Sequence, residues 1–362
     1  VLEACAQHKK TLCVLDRPNP AGRPIEGNLL QPGWERFVGA APLADAEPPV
    51  ILFVLRRLAA AVALVASLSA IAYVLLSIGS SNVSRRMLGA QATPEAVEAN
   101  DALLGLDRPV LSRFGDWVAD AFRGDLGDSW STGQGVTDAV LSRLSVTLSL
   151  VIGAVLVTAV LATALGVLAA VRGGWADRSV QLLSLVGFAV PAFLIALGLV
   201  ILFSLELGLL PATGYTPFSE SPRAWAASVL LPVAALSVSA VAGVAAQVRG
   251  SVLDALRQDY VRTLRSRGLP ERSVIFRHVL RNAAGPSLQV LGLQFVSMVG
   301  GAVLVEQIFA IPGLGQVAVA ATAQGDSPLV MGVVLATGVI VVLVNLVVDL
   351  LQAWLNPKVR VA

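Results

Sequence analysis

The chain is 362 residues long, 56% hydrophobic and only 14% charged, with a formal net charge of +2. This is a membrane protein's balance, and near-neutral charge argues against a nucleic-acid binder. None of the three lysines (Lys9, Lys10, Lys358) follows a glycine, so the Gly-Lys-Ser/Thr step of a phosphate-binding P-loop is missing and ATP of that kind is not bound here.

Residues 1–49 are polar and proline-rich and hold both cysteines, Cys5 and Cys13. Two thiols this close to one end build neither a disulfide framework nor a zinc site, and no metal is expected. His8 and His278 do not suggest a catalytic pair. The segment reads as a poorly ordered extension, 1–49, ahead of a transmembrane domain, 50–362, with the native start expected near Val50. No cleavable signal peptide is apparent, so the first apolar run is expected to serve as an uncleaved anchor.

Six apolar runs are long enough to cross a bilayer, which takes about 20 residues: Leu58–Ile78, Val146–Val171, Ser179–Leu205, Trp225–Val248, Ser287–Val305 and Pro328–Leu351. The chain is thus predicted to be an all-α polytopic membrane protein. Arg56 and Arg57 precede the first run, Arg172 and Arg178 bracket the second loop, an arginine-rich stretch joins runs four and five, and Lys358 and Arg360 follow the last. If basic loops stay inside, both termini are cytoplasmic. Residues 79–143 then form an acid-leaning external segment, with helical spacing over Ala96–Leu104 and Val110–Phe122 separated by a turn at Asp107-Arg108-Pro109. It reads equally well as a cap that guides a substrate or receives an external binding protein and as a plain lid.

The loop 249–286 carries the most information. Between Arg249 and Arg281 it holds eight arginines against three acids, Asp254, Asp259 and Glu271. At roughly 2.5–3.5 kcal/mol per basic residue at the centre of a membrane span, these arginines belong in water. Leu253, Leu256, Tyr260 and Leu264 make one helical stripe; Gly268 suits a helix C-terminus, Pro270 the start of the next helix, and Phe276, Val279, Leu280 and Ala283 a second stripe. On the residues alone two roles stand open: a solvated basic loop that sets topology or touches anionic head groups, and a docking element for a cytosolic partner.

Elsewhere, Pro191 and Pro232 are expected to interrupt runs three and four, either shaping a path or easing packing. Asn345, Asp349 and Gln352 form a polar stripe in the last run, read as an end-of-helix feature. Glu306–Gln316, EQIFAIPGLGQ, is expected to be a short external turn or re-entrant segment.

DYVRTLRSRGLPERSVIFRHVLRN resembles the cytoplasmic loop of binding-protein-dependent ABC importer permeases, specifically the dipeptide/oligopeptide branch. LRRLAAAV, GLDRPVLSRFGDW, RGDLGDSWSTGQGV, FAVPAFLIALGLVILFS, LGLLPATGY, VLVEQIFAIPGLGQ and VNLVVDLLQAWLNPKVR extend the resemblance in order across residues 55–360. The loop departs from the Glu-Ala-Ala wording of the wider family, having Arg262-Thr263-Leu264 ahead of Gly268. The resemblance implies a type I ABC importer fold in the bacterial plasma (inner) membrane. It places the ATPase-coupling contacts on Tyr260, Val261, Arg262, Thr263, Arg265, Gly268 and Leu269. It also implies a second homologous permease, two cytosolic ATPase subunits carrying ATP and magnesium, an external binding protein, a peptide cargo and surrounding lipid, with no cofactor on this chain. TLCVLDRPNPAGRPIEGNLLQPGWERFVGAAPL, by contrast, resembles a fragment of a peptidoglycan muramidase family, which suggests a fused reading frame.

The expected function is a permease subunit without catalytic residues of its own. A polytopic membrane enzyme would need convergent polar groups that do not emerge from the sequence. A proton-coupled secondary carrier is disfavoured by the apparent lack of buried titratable side chains and of inverted repeats.

Overall fold

A computed structural model describes residues 50–79, 83–89 and 91–355. The extension 1–49, Lys358 and Arg360 lie outside the described residues. Ala59–Asn356 forms one compact unit; of the other, Val50–Leu58 is described, the opening turns of the first helix.

Helix α1 (Val50–Gly79) is followed by α2 (Val83–Leu88), α3 (Pro94–Leu103) and α4 (Val110–Ala121). Thr93 caps α3, accepting the Ala96 amide at 3.3 Å, with Pro94 in the first turn where its missing N–H costs nothing. The two helices expected in the external segment are therefore present. Long apolar helices follow: α5 (Val136–Arg172), α8 (Pro222–Leu256), α10 (Glu271–Ile308) and α12 (Ser327–Leu355). At 1.5 Å per residue, the 37 residues of α5 reach about 55 Å, so its ends project beyond a hydrocarbon core of about 30 Å. This helix starts ten residues before the predicted crossing, because Thr137–Arg143 continues the same hydrogen-bonded spiral outside the apolar run.

The third crossing is not one helix. α6 (Gly174–Ala189) and α7 (Ala192–Glu206) meet at Val190-Pro191 with a bend of 98°. Proline removes an amide donor and pushes the residue before it out of helical geometry, and Val190 is accordingly extended (φ −95°, ψ 118°). Among the described residues five continuous helices are long and apolar enough to cross a membrane, and the crossings number six where the broken pair counts as one span. Pro232 acts differently: α8 runs through it without a break, so the expected interruption of the fourth crossing is not found.

Small residues set the packing. An added Cβ on Gly153 would lie 3.0 Å from Val233, on Gly166 2.7 Å from Val248, and on Gly292 3.1 Å from Val348. Such close backbone approach is how helices associate where the solvent is itself apolar. The first two pairs show that α5 and α8 run parallel. Gly301 beside Leu236 and Gly243 near Gln294 make α10 antiparallel to α8. Outward faces are apolar, as at Leu156 and Val160, 61% and 68% exposed, which suits contact with lipid tails. The bundle has two functional ends: one carries the hairpin between α8 and α10, the other carries α2–α4 and the turn after α10.

A basic hairpin and two buried carboxylates

At the hairpin end, α8 stops at Leu256 and the backbone extends at Gln258 (φ −72°, ψ 147°) before α9 (Asp259–Ser266) begins. The stripe Leu253–Leu256–Tyr260–Leu264 is thus shared between two helices, a correction to the single helix expected. All four side chains still pack on one core with Val252, Val261, Val274 and Val279. Asp259 sits in the first turn of α9 and Arg265 in the last, both favoured by the helix dipole.

Gly268 then takes φ +74°, as its position after a helix predicts. Its amide bonds to the Arg265 carbonyl (3.0 Å) and the Leu269 amide reaches back to the Leu264 carbonyl (3.3 Å), the paired closure of a Schellman motif. Leu264 and Leu269 pack on the same core below it. Pro270 opens α10, and Glu271 turns back to accept from Arg265 across the turn. At the base, Arg249 of α8 holds Asp177 near the start of α6 through two hydrogen bonds, one at 2.7 Å.

The seven predicted contact residues divide by exposure. Val261 is fully buried and Tyr260 and Leu269 are half-buried, so they anchor the hairpin; Arg262, Thr263, Arg265 and Gly268 are exposed. Arg257, Arg262, Arg267, Arg272, Arg277 and Arg281 are exposed too, and none makes an ion pair to another described residue. Phe276 departs from the predicted stripe. Val274–Val279 forms a π-turn that shifts register by one residue. Val274, Ile275, Val279 and Ala283 go inward and Phe276 is left 59% exposed beside the arginines.

At the other end, the expected external turn is the end of a helix, a tight turn and a new helix, α11 (Leu314–Gln324). Glu306, fully buried, organises it. One oxygen accepts from Thr147 of α5 (2.6 Å) and the other from the amides of Gly315 (2.8 Å) and Gln316 (3.1 Å); Thr147 Oγ1 accepts from the Leu314 amide (2.8 Å). The first three amides of α11 are satisfied in this way. Gly313 and Gly315 are required here, since a Cβ on the first would lie 2.2 Å from the Glu306 carboxylate and on the second 2.6 Å from the Val303 backbone.

Asp326, 1% exposed, does the same for the next helix. It caps α12 by accepting the Leu329 amide (3.3 Å), while its other oxygen accepts from Ser129 Oγ (2.5 Å), Ser131 Oγ (2.7 Å) and the Ser131 amide (3.1 Å). Burial alone would raise its carboxyl, but the hydrogen bonds from Ser129 and Ser131 outweigh that and hold it below the ordinary aspartate range. Its stabilisation is therefore present above an unfolded value of about 3.9 and is lost as pH falls through the lower folded value. Asp326→Asn is expected to cost about 1–3 kcal/mol at neutral pH. The difference from the parent should shrink below pH of about 4, as read by thermal unfolding across pH in detergent.

These buried carboxylates correct the sequence reading, which found no buried titratable chains. Both satisfy helix N-termini, which accounts for them without a proton pathway. The available signal was a lone acid beside glycine and proline at the edge of an apolar run, in VLVEQIFAIPGLGQ and AQGDSPL. At the far end of α12, Gln352 is buried and accepts from Gln289 of α10 (3.4 Å), while Asp349 is half-buried and Asn345 exposed, so only the last residue of the polar stripe is buried in the bundle.

Comparison with known proteins agrees with this architecture. Residues 162–361 match the family described as "Binding-protein-dependent transport system inner membrane component", and residues 50–151 its N-terminal counterpart, "Binding-prot-dependent transport system membrane comp, N-term". A weaker match, to the N-terminal region of the exo-beta-N-acetylmuramidase NamZ, covers residues 1–47. A Brucella abortus protein named as a peptide transport system permease is 38% identical over 308 residues, covering 85% of this chain and 98% of the relative. A Sinorhizobium fredii protein named for a peptide ABC transporter permease is 34% identical over 310 residues, 85% of this chain and 99% of the relative. A glutathione transport system permease of Escherichia coli is 33% identical over 309 residues, 85% and 98% of the two chains. With up to six crossings, a helical hairpin between α8 and α10, and relatives aligned almost end to end, the chain belongs to the family of binding-protein-dependent transport system inner membrane components, multi-pass bacterial inner-membrane proteins of the type I ABC importer fold.

Proposed function

We propose that this chain is the translocating subunit of an ATP-driven importer of dipeptides or oligopeptides, and that its basic hairpin is the lever driven by partner ATPases. ATP and magnesium then reside on those partners, a second homologous permease completes the pathway, and an external binding protein delivers cargo at the α2–α4 end. In this reading the hairpin and both termini face the cytoplasm. The carrying observation is mechanical: α9 presents Arg262 and Thr263 on its exposed side, followed by the exposed Arg267 at its C-cap, and is seated through Val261 on the core that contains α5, α8 and α10. A force on the hairpin reaches several crossings at once, as a two-state bundle biased by nucleotide requires. Peptide cargo is supported by the names of relatives that align over almost their whole length.

The test is cross-linking of Thr263→Cys in cells carrying the whole transport operon. A cross-link to a P-loop ATPase, responsive to nucleotide, is the expected result; labelling of that cysteine by an impermeant reagent from outside intact cells would overturn the proposal. Gly268→Val gives a second check. No atom within 4 Å opposes the side chain, so the cost is backbone strain at φ +74°, about 1–2 kcal/mol. Labelled dipeptide uptake should fall at least about fivefold, with membrane insertion unchanged.

A further inference from the structure

Helices α6 and α10 flank α8, and a groove lies between them with Gly243 of α8 at its floor. An added Cβ on Gly243 would lie 3.1 Å from both the side-chain nitrogen of Gln294 on α10 and the ring of Phe188 on α6. Helix α6 is seated beside it through Gly187, whose added Cβ would lie 2.9 Å from Ala242. Ser239 stands one turn from Gly243 on the same side of α8, and Ser297 one turn from Gln294 on α10. Phe188 and Ser297 are exposed and Gln294 and Ser239 half-buried, so the groove is open. Ser239 lies nine residues inside its apolar run, counted from Val248, and Ser297 ten inside its own, counted from Ser287. At 1.5 Å per residue both are roughly 15 Å deep, near the midplane of a hydrocarbon core of about 30 Å.

Polar side chains at that depth need partners. Others in these helices have them: Ser237 donates to the Val233 carbonyl (2.6 Å), Gln247 to Ser251 (3.1 Å) and Gln289 to Gln352 (3.4 Å). Gln294, Ser239 and Ser297 make no hydrogen bond to any described residue. The outward side of α5 shows the contrast, with only apolar groups at Ile152, Leu156 and Val160. Lipid tails suit that surface and leave three groups of the groove unsatisfied.

We propose that this groove is a wall of the translocation path and binds the main chain of the peptide cargo, an inference that rests on the importer reading above. An extended peptide carries an unpaired donor and acceptor at almost every residue, whereas a neighbouring membrane helix has already paired its own. The Gln294 amide can both donate and accept, as can the two hydroxyls. Gly243 lets a main chain approach closely. Contacts of this kind read the backbone and leave the cargo's side chains free to vary.

Cysteine accessibility in the complete transporter tests this, in nanodiscs, with and without ATP, and with Cys5→Ala and Cys13→Ala in the background. Ser297→Cys should react with a small charged thiosulfonate at least about tenfold faster than Leu156→Cys, because a thiol ionises in water and not in lipid. Millimolar dipeptide should slow that reaction. Adding Gln294→Leu should raise the dipeptide concentration needed for protection about fivefold. Equal reaction of the two cysteines under both conditions means that lipid or a partner helix covers the groove, and overturns the proposal. Fast reaction that dipeptide does not slow overturns the peptide as occupant, and unchanged protection in Gln294→Leu overturns that residue as its contact. Dipeptide uptake by the parent, measured alongside, tests the importer reading separately.

Discussion

Gly166→Val is expected to disrupt the packing of the crossing helices severely. A Cβ at this position would lie 2.7 Å from both Cβ and Cγ1 of Val248 and 2.8 Å from the carbonyl oxygen of Ala245. Val248 can shift a little, but the Ala245 oxygen is backbone in the middle of α8 and moves only with its helix. The substitution therefore separates α5 from α8, the axis on which both the upper core at Leu150, Val151 and Ala235 and the lower core at Val244, Val248 and Val261 are built. Overpacking costs about 1–3 kcal/mol where side chains can adjust; against immobile backbone the upper end, about 3 kcal/mol, applies, a large fraction of a typical domain's stability. Gly198→Ala is the matched control: it too replaces a helical glycine, but in open space, so it should be neutral or slightly stabilising. Thermal unfolding of the two variants in the same detergent separates them, and equal midpoints would refute the packing argument.

How the sequence led to this fold, and where it misled, follows from the range of each physical signal. Crossings were legible because a bilayer demands about 20 apolar residues whatever the packing. Pro191 was legible as a break because the ring acts on its immediate neighbours. Gly268 and Pro270 were legible as a turn because positive φ and a missing N–H are local needs. Pro232 carries the same residue type, but α8 continues through it because the helix is clasped on several sides: Leu231, Val233, Ala235 and Leu236 are all buried around it, and neighbouring helices can support a proline in a membrane bundle.

The hairpin illustrates the same limit. Its apolar spacing looked continuous from Leu253 to Leu264, yet the chain breaks at Arg257-Gln258 and both halves still reach one core. Periodicity reports which residues go inward, not whether one helix takes them there. Phe276 was misplaced for a related reason: a π-turn adds a residue per turn, and no local pattern in VIFRHV announces it. The partners of Glu306 and Asp326 were out of reach, since Thr147 is 159 residues away from the first and Ser129 197 residues from the second. The acids themselves could have been found. Carboxylates this close to an apolar run need donors, and a following Gly-Leu-Gly or Ser-Pro offers helix-start amides.

Glu306 yields the sharpest test of that reasoning, because its two substitutions should behave very differently. Glu306→Ala leaves the Thr147 hydroxyl and the Gly315 and Gln316 amides without their acceptor in a site closed to water. At about 1–3 kcal/mol for each stranded group, with some relaxation, a loss of about 4 kcal/mol is expected, within the range for breaking a buried charged pair. Glu306→Gln keeps the shape. Its oxygen can accept both amides, and its NH2 can donate to Thr147 Oγ1 with the hydroxyl proton turned to a backbone carbonyl of its own helix, so the amides stay satisfied and the main loss is the attraction of a carboxylate for the α11 N-terminus, about 0.3–2 kcal/mol. Unfolding midpoints should therefore rank parent, Gln, Ala, with the larger gap between the last two, and amide exchange at Gly315 and Gln316 should accelerate strongly in Glu306→Ala alone. If Gln proves as harmful as Ala, negative charge and not hydrogen-bond satisfaction holds this turn. If neither changes stability, the network is incidental, and of the two glycines of PGLG only Gly315 is still required, by the close approach of Val303.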